Sequence, residues 1–325
     1  MRKLIIQIPC LDEEKTLPAT LAALPREVPG VDKVEWLVID DGSTDRTSEV
    51  ARAHGVDHVI RFASNQGLAR AFMAGLEACL KAGADIIVNT DADNQYDARD
   101  IPKLIEPILA GRAEIVVGAR PIDDIAHFSP LKKLLQKLGS WVVRQASRTS
   151  IPDSPSGFRA ISRDAALQLN VFSQYTYTLE MVIQAGQKNI PITWVPVRTN
   201  AVTRPSRLIR GIPDYIRRSV LIIFRVFLLY RPLRSFFWMG MAFVVPGSLL
   251  LVRWLAFFLA GAVHPGRTRA PSLILAAILI LIGFQLWIFG FMADLMSANR
   301  RLLEDVQLRL RRMESDPPPP RGPAA

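Results

Sequence analysis

Cysteine is scarce in this chain: 325 residues contain two, Cys10 and Cys79. Neither has metal-ligand spacing, which excludes a cysteine-held metal. Cys10 falls in an apolar strand pattern and Cys79 in a helical one, so both read as reduced, buried thiols of a cytosolic domain. The N-terminal run reads as a first β-strand rather than a secretory leader. The opening MRKLIIQIPCLDEE is basic and then apolar, but an apolar run of about eight residues followed at once by acids is too short for a signal-peptide core and cleavage site. Acids are nearly missing from one stretch. Arg198, Arg204, Arg207, Arg210, Arg217, Arg218, Arg225, Arg231 and Arg234 are accompanied by a single acid, Asp214. No aromatic-basic interleaving goes with that run, so nucleic acid is not expected as a partner. Its place just ahead of an apolar span points instead to anionic lipid or a phosphorylated substrate.

Half of the residues (50%) are hydrophobic and the net charge is +10; both are localised. Apolar residues concentrate after residue 220. Phe236–Val252 is free of charge and continues past Arg253 to Val263, and Ser272–Ala293 is a second uncharged stretch. A membrane-spanning helix takes roughly 20 apolar residues, so both qualify, with Pro246 expected to kink the first. Arginines precede the first span, and Arg300, Arg301, Arg309, Arg311 and Arg312 follow the second. The connecting segment His264–Pro271 carries only Arg267 and Arg269. This asymmetry places both chain ends in the cytosol. Ile212–Leu229 is amphipathic and basic, as for a helix lying on a membrane surface, and Pro317–Ala325 reads as a disordered tail. The expected division is a soluble domain over 1–210, an amphipathic juxtamembrane helix over 211–234, two transmembrane helices over 235–294, and a basic, Pro-rich cytosolic tail over 295–325. That is a multi-pass protein of the cell (inner) membrane with its soluble domain in the cytosol.

Within the first two hundred residues, short apolar runs alternate with helix-period segments. The runs are Leu4–Pro9, Trp36–Asp40, His58–Phe62, Asp85–Thr90 and Glu114–Gly118; the helical segments are Glu13–Leu24, Thr44–His54, Leu68–Ala82 and Asp100–Ala110. Ile- and Val-rich strands without alternation are buried on both faces, as in a parallel sheet covered by helices. The order predicts a doubly wound, Rossmann-like α/β domain, whose ligand sits at the carboxyl ends of the strands. Further along, Leu131–Ser147 is helical in period, Ser150–Ser156 is a polar turn, Tyr175–Lys188 a helix and Ile192–Val197 a strand.

Polar residues do follow the strands. Asp91-Ala92-Asp93-Asn94-Gln95 ends an apolar run, and two carboxylates one residue apart can face one small cavity there. Such oxygen ligands suit Mg²⁺ or Mn²⁺ with positions left for substrate phosphates; an acidic surface turn is the plainer reading. Asp40-Asp41-Gly42-Ser43-Thr44-Asp45 and Pro9-Cys10-Leu11-Asp12-Glu13-Glu14 end the second and first runs, where a carboxylate can accept from a base edge or ribose hydroxyl. Ser43 and Thr44 could equally be helix N-caps. Gly67 either ends a turn or lets the backbone approach a ligand.

Together, IPCLDEE, VIDDGSTD, ASNQG, DADNQ, VVGAR, SGFRAISRDA and the stretch around Glu180 resemble the family-two glycosyltransferases of the GT-A fold. They lie near the polyprenyl-phosphate sugar transferases of the dolichyl-phosphate mannose synthase type. The likeness spans about residues 4–210. It implies a UDP- or GDP-sugar donor, a polyprenyl-phosphate acceptor and inversion at the sugar. Residue by residue, it implies base and ribose contacts at Pro9, Glu13 and Asp41, with Asp91, Asp93 and Gln95 at the metal and diphosphate. Arg120 falls near the phosphates or acceptor, and Ser156-Gly157-Phe158-Arg159 is the SGFR signature. Arg204 and Arg207 fall in a late basic motif taken to bind the acceptor phosphate. Two departures stand out. Asp12 replaces the usual Asn, and Arg204-Pro205-Ser206-Arg207-Leu208 lacks the glycine of G-x-S-K-L. The Q-x-x-R-W of processive polysaccharide synthases is absent, which argues for a single transfer.

A lipid phosphate is largely ionised at neutral pH, so positioning outweighs a strong base. Glu180 is then a base or orienter, or merely pairs on its helix. Two other classes stay open: transfer to a glycerolipid hydroxyl, and a non-catalytic nucleotide-sugar-binding scaffold. A homo-oligomer is also compatible with the sequence.

Overall fold

The computed structural model describes residues 1–121, 144, 147, 149–171, 177–200, 232–260 and 270–315. The expected helices over 131–147 and 212–229, Arg204, Arg207, and the tail from 317 lie wholly or mostly outside these residues. The chain falls into two units: Met1–Val220 together with Glu304–Ala325, and Leu221–Leu303.

The first unit is an α/β sheet. Its elements are β1 (Lys3–Cys10), α1 (Leu17–Ala23), β2 (Lys33–Asp40), α2 (Thr47–Ala53), β3 (His58–Arg61), α3 (Leu68–Lys81), β4 (Ile86–Asn89), α4 (Ile101–Leu109), β5 (Ile115–Ala119), β6 (Arg159–Ser162), α5 (Arg163–Gln168), α6 (Thr178–Gln187) and β7 (Ile192–Pro196). The strand order is β3-β2-β1-β4-β6-β5-β7. Apolar residues on both faces of the strands feed two core clusters, one holding Ile6, Ile8, Leu21 and Leu104, the other Ile5, Phe72, Leu76 and Met181. That two-sided burial is why the strands read as unbroken Ile/Val runs.

The five apolar runs form strands that all point the same way, as expected, while β6, which is not one of those runs, pairs antiparallel with both β4 and β5. The segment entering β6, residues 153–158, is thereby brought to the same sheet end as the carboxyl ends of β1, β2, β4 and β5. One correction concerns helix starts. α1 and α2 begin at Leu17 and Thr47, three to four residues later than the periodicity suggests. The residues ahead of them are used in bonds between loops.

The C-terminal part of the first unit comes from the far end of the chain. A helix, α8, runs from Ala270 to Ser315, so the basic segment after 295 is helical as far as Ser315. Within this unit Leu308 packs on the Phe72 cluster, Glu304 pairs with Lys188 at 3.0 Å, and Arg311 Nη1 donates to the carbonyls of Leu169 (2.8 Å) and Leu167 (3.3 Å). Those carbonyls end α5 and have no intrahelical partner, so a cation there satisfies them.

The second unit holds α7 (Pro232–Leu259) and α8 up to Leu303; both helices are long and apolar enough to cross a membrane. α7 continues through Pro246. Glycines lie where the two helices meet: a Cβ on Gly247 would come 2.9 Å from Ile280, and one on Gly290 2.7 Å from Phe236. Small residues of this kind allow close backbone approach between apolar helices.

On β2, Glu35 is nearly buried and meets Lys33 Nζ (2.6 Å), His58 Nε2 (2.8 Å) and Lys3 Nζ (2.9 Å). Burial opposes its charge, but bonds from Lys33, His58 and Lys3 outweigh it and hold the carboxyl at about 2. A depressed carboxyl stabilises the fold above its unfolded value of about 4.3 and loses that contribution as pH falls toward the folded value. Glu35→Gln should therefore cost about 1–3 kcal/mol at pH 7. Thermal unfolding of the two proteins should converge as pH is lowered through that window; a difference unchanged by acid would refute the assignment.

Candidate functional site

The carboxyl ends of β1 and β2 are sewn together by short polar side chains. Asp12 N donates to Ser43 Oγ at 2.9 Å, and Thr44 N donates back to Asp12 Oδ1 at 2.8 Å. Glu13 N donates to Thr47 Oγ1 (2.9 Å) and Glu14 N to Asp45 Oδ2 (3.1 Å). Ser43 and Thr44 are thus inter-loop ties, not helix caps; the residue ahead of α2 is Arg46, without a side-chain cap. Asp12 has φ 51°, a left-handed conformation that Asn and Asp tolerate best. Toward Thr44, Asp12 uses an acceptor oxygen, which Asn also has.

Pro9 is buried in β1 opposite Ile39. Pairing of β1 with β4 ends at Gln7↔Asn89; on that side the ladder has no further partner, and the missing N–H of Pro9 is not needed. Glu13 is buried, and its carboxylate accepts from Thr16 Oγ1. Asp41 is buried and accepts from two backbone amides, Gln66 N at 2.7 Å and Gly67 N at 2.9 Å. Its carboxylate therefore shapes the Asn65-Gln66-Gly67 loop, and Gly67, at φ 95°, is required there by backbone conformation.

Asp91-Ala92-Asp93-Asn94-Gln95 leaves β4 as a tight turn. Asp93 Oδ1 accepts from Gln95 N at 3.2 Å, and Asn94 is left-handed (φ 55°). Residues following β7 clamp this turn. Asn200 N donates to Gln95 O (2.9 Å), and Asn200 Nδ2 to Asn94 O (2.9 Å) and Tyr96 O (3.3 Å). Arg198 forks onto Asp100, with Nη2 at 2.7 Å from Oδ1, which removes it from the basic run assigned to lipid. Asp91 itself faces Gly157: a Cβ there would lie 2.9 Å from both Asp91 oxygens. Gly157 is fixed from both sides, its N–H donating to Tyr96 Oη (3.0 Å) and its carbonyl accepting from Asn89 Nδ2 (2.9 Å).

Beneath lies a buried polar chain that sequence reading missed, because each member looks like an isolated polar residue in an apolar run. Gln7 Nε2 donates to Asn89 Oδ1 (2.9 Å), and Asn89 Nδ2 also donates to Tyr177 Oη (2.8 Å). Arg159 is fully buried and grips three carbonyls, Ser154 (2.6 Å), Ser156 (2.8 Å) and Thr178 (2.8 Å). Burial lowers its pKa to about 10. The arginine of SGFR is therefore a brace that ties the turn ahead of β6 to the start of α6. Glu180, in the first turn of α6, is nearly buried and accepts from Gln184 Nε2 at 3.5 Å.

Arg120 follows β5. Its Nε and Nη2 meet the buried Asp153 at 2.7 and 3.0 Å. Burial works against its charge, yet Tyr96, Asp153 and Asp91 together hold its pKa above the usual arginine value. Asp91, Asp93, Gln95, Gly157, Asp153 and Arg120 thus gather at one sheet end. Asp153 was missed by sequence reading, although it lies three residues ahead of SGFR in a recognised polar turn. Among the described residues no cluster of three or more His, Cys, Asp or Glu surrounds one point. Two carboxylates on a strand-end turn suit a hard cation that diphosphate oxygens and water complete.

Residues 5–169 match the family model described as Glycosyl transferase family 2. The chain is 30% identical over 207 residues to the undecaprenyl-phosphate mannosyltransferase of Micrococcus luteus, covering 61% of this chain and 83% of that protein. It is likewise 30% identical over 217 residues to the UDP-N-acetylglucosamine–dolichyl-phosphate N-acetylglucosaminyltransferase of Methanococcus voltae, covering 59% and 83%. Among solved structures, glucosyl-3-phosphoglycerate synthase from Mycobacterium tuberculosis, in complex with Mn²⁺, uridine diphosphate and phosphoglyceric acid, gives a TM-score of 0.54. That match has 21% identity and covers 70% of this chain and 78% of that one; it is a likeness of fold.

Because a Cβ at residue 157 must displace Asp91, Gly157→Ala should weaken binding of a Mn²⁺–nucleotide diphosphate complex by about 10–100-fold, the usual cost of disturbing a ligand's support. Calorimetric titration checks this. Unchanged affinity in a folded variant would show that the carboxylate does not depend on the glycine.

Proposed function

Since the chain belongs to glycosyl transferase family 2, and is a glycosyltransferase, we propose that it moves a sugar from a nucleotide-diphosphate donor to a polyprenyl phosphate, with Mg²⁺ or Mn²⁺ bound, at the cytosolic face of a membrane. The observation that carries this reading is the paired Asp91 and Asp93 on the turn after β4, with Asp91 set against Gly157 and Arg120 held by Asp153 at the same sheet end. The names of the Micrococcus and Methanococcus relatives support the lipid-phosphate acceptor, and the two apolar helices support a membrane location.

In this reading Pro9, Glu13 and Asp41 line the base and ribose end of the donor, Asp41 chiefly by holding the Gln66–Gly67 backbone. Asp91, Asp93 and Gln95 would hold the divalent cation, which would supply positive charge to offset the negative charge growing on the leaving nucleotide. The acceptor phosphate oxygen attacks the anomeric carbon from the face opposite the nucleotide. A new C–O bond forms as the bond to the diphosphate breaks, and the configuration inverts. The attacking oxygen is already ionised, so Glu180 orients rather than deprotonates. Arg204 and Arg207 grip the acceptor phosphate, for which guanidinium offers paired, parallel hydrogen bonds, and Arg120 adds a further contact from the part of its guanidinium not docked on Asp153.

Transfer of radiolabelled sugar from UDP- and GDP-donors to polyprenyl phosphate or to diacylglycerol, by the full chain in detergent, tests the proposal. Label should reach polyprenyl phosphate. EDTA or Asp93→Ala should cut the rate by at least about 100-fold, and Mn²⁺ or Mg²⁺ should reverse the EDTA effect. Transfer to diacylglycerol would overturn the acceptor, and a rate within a few-fold of normal in EDTA would overturn the metal.

A further inference from the structure

The environment of Arg120 carries a further step, which rests on the reading of this site as one that binds phosphate. Three bonds run from Arg120 to the Asp153 carboxylate: backbone N at 3.2 Å, Nε at 2.7 Å and Nη2 at 3.0 Å. One acid thus fixes both the strand end and the side chain. Asp153 is fully buried, and its own position is set by the turn it begins. Its carbonyl accepts from Ser156 N (3.2 Å), and Arg159 pins the carbonyls of Ser154 and Ser156. The guanidinium is therefore docked along its Nε–Nη2 edge. Its Nη1 corner makes no hydrogen bond among the described residues, and the side chain is 18% exposed.

We propose that Asp153 is a positioning residue for the transfer: it locks Arg120 in one orientation so that the Nη1 corner meets a phosphate oxygen beside Asp91. A buried carboxylate without its cation would be strongly disfavoured, and a loose arginine would lose rotamer freedom on meeting each ligand. Locked in advance, the guanidinium needs no reorganisation when charge shifts during reaction. Because Asp153 offsets the positive charge of Arg120, the pair contributes direction more than general attraction. Donor binding, governed by the loops after β1, β2 and β4, should be little affected.

The test is a double-mutant cycle of Asp153→Asn and Arg120→Lys in the full chain. Transfer rate, acceptor KM, donor affinity by titration and Tm are measured for each. Asp153→Asn should lower kcat by about 10–100-fold, as for other groups that orient a ligand-binding side chain, with donor affinity within about twofold of normal. Lysine keeps the charge but cannot dock along two parallel bonds, so Arg120→Lys should lose about as much. The double variant should be no worse than either single one, since both remove the same locked orientation. A purely structural role would lower Tm and donor affinity together and make the two losses add. That result, or a kcat within about threefold of normal in Asp153→Asn, overturns the proposal. Should Asp153→Asn not fold, Arg120→Lys decides alone, a normal rate overturning the need for the fork. The cycle can be read on whichever acceptor takes the sugar, so failure of the polyprenyl-phosphate assignment remains distinguishable from failure of this one.

Discussion

The contact between the Asp91 carboxylate and the bare Cα of Gly157 governs the arrangement of the whole site. It exists because one strand, β6, runs against the others. An all-parallel order would deliver the segment before β6 to the opposite edge of the sheet. The reversal puts residues 153–158 over the end of β4, and the absence of a side chain at 157 leaves the carboxylate its room. The buried chain Gln7–Asn89–Tyr177 and the fully buried Arg159 then hold that segment in place. The side chains of Gln7, Asn89, Tyr177 and Arg159 are all hydrogen-bonded, which is the condition under which a buried network stiffens a fold rather than weakening it.

Around this centre the strand-end loops are tied to one another by hydrogen bonds. Asp12 with Thr44, Glu13 with Thr47, Glu14 with Asp45, and Asp41 with the Gln66 and Gly67 amides are all contacts across thirty or so residues of sequence. These bonds fix the loops against one another at the carboxyl end of the sheet. The same bonds explain why α1 and α2 start late, since the residues that would form their first turns are already bonded to a neighbouring loop.

Much of this was legible in the sequence, for identifiable reasons. Strands buried on both faces advertise themselves as apolar runs, and polar residues at their ends mark the carboxyl edge, so β1 to β5 and the positions of Asp41, Asp91 and Asp93 could be read directly. Strand direction could not: nothing in Arg159-Ala160-Ile161-Ser162 distinguishes an antiparallel strand from a parallel one. Partnership could not be read either. Arg198 looks like one more cation in a basic run, yet it belongs to Asp100. Asp153 looks like a turn residue, yet it holds Arg120. Both relations depend on contacts between segments far apart in the chain, 98 residues in one case and 33 in the other.

The packing of Glu304, Leu308 and Arg311 on the first unit has a consequence for how the molecule is made. A chain emerges from the ribosome in order, and these three residues follow both long apolar helices. The carbonyls ending α5 and the ammonium of Lys188 must wait for their partners until residues 232–303 have been synthesised. The sugar-transferring unit is thus finished last, after the hydrophobic helices have emerged, and its assembly is timed by theirs. A chain interrupted or mis-threaded at either helix would carry every motif of the site and still present an open, unfinished surface beside α5 and α6.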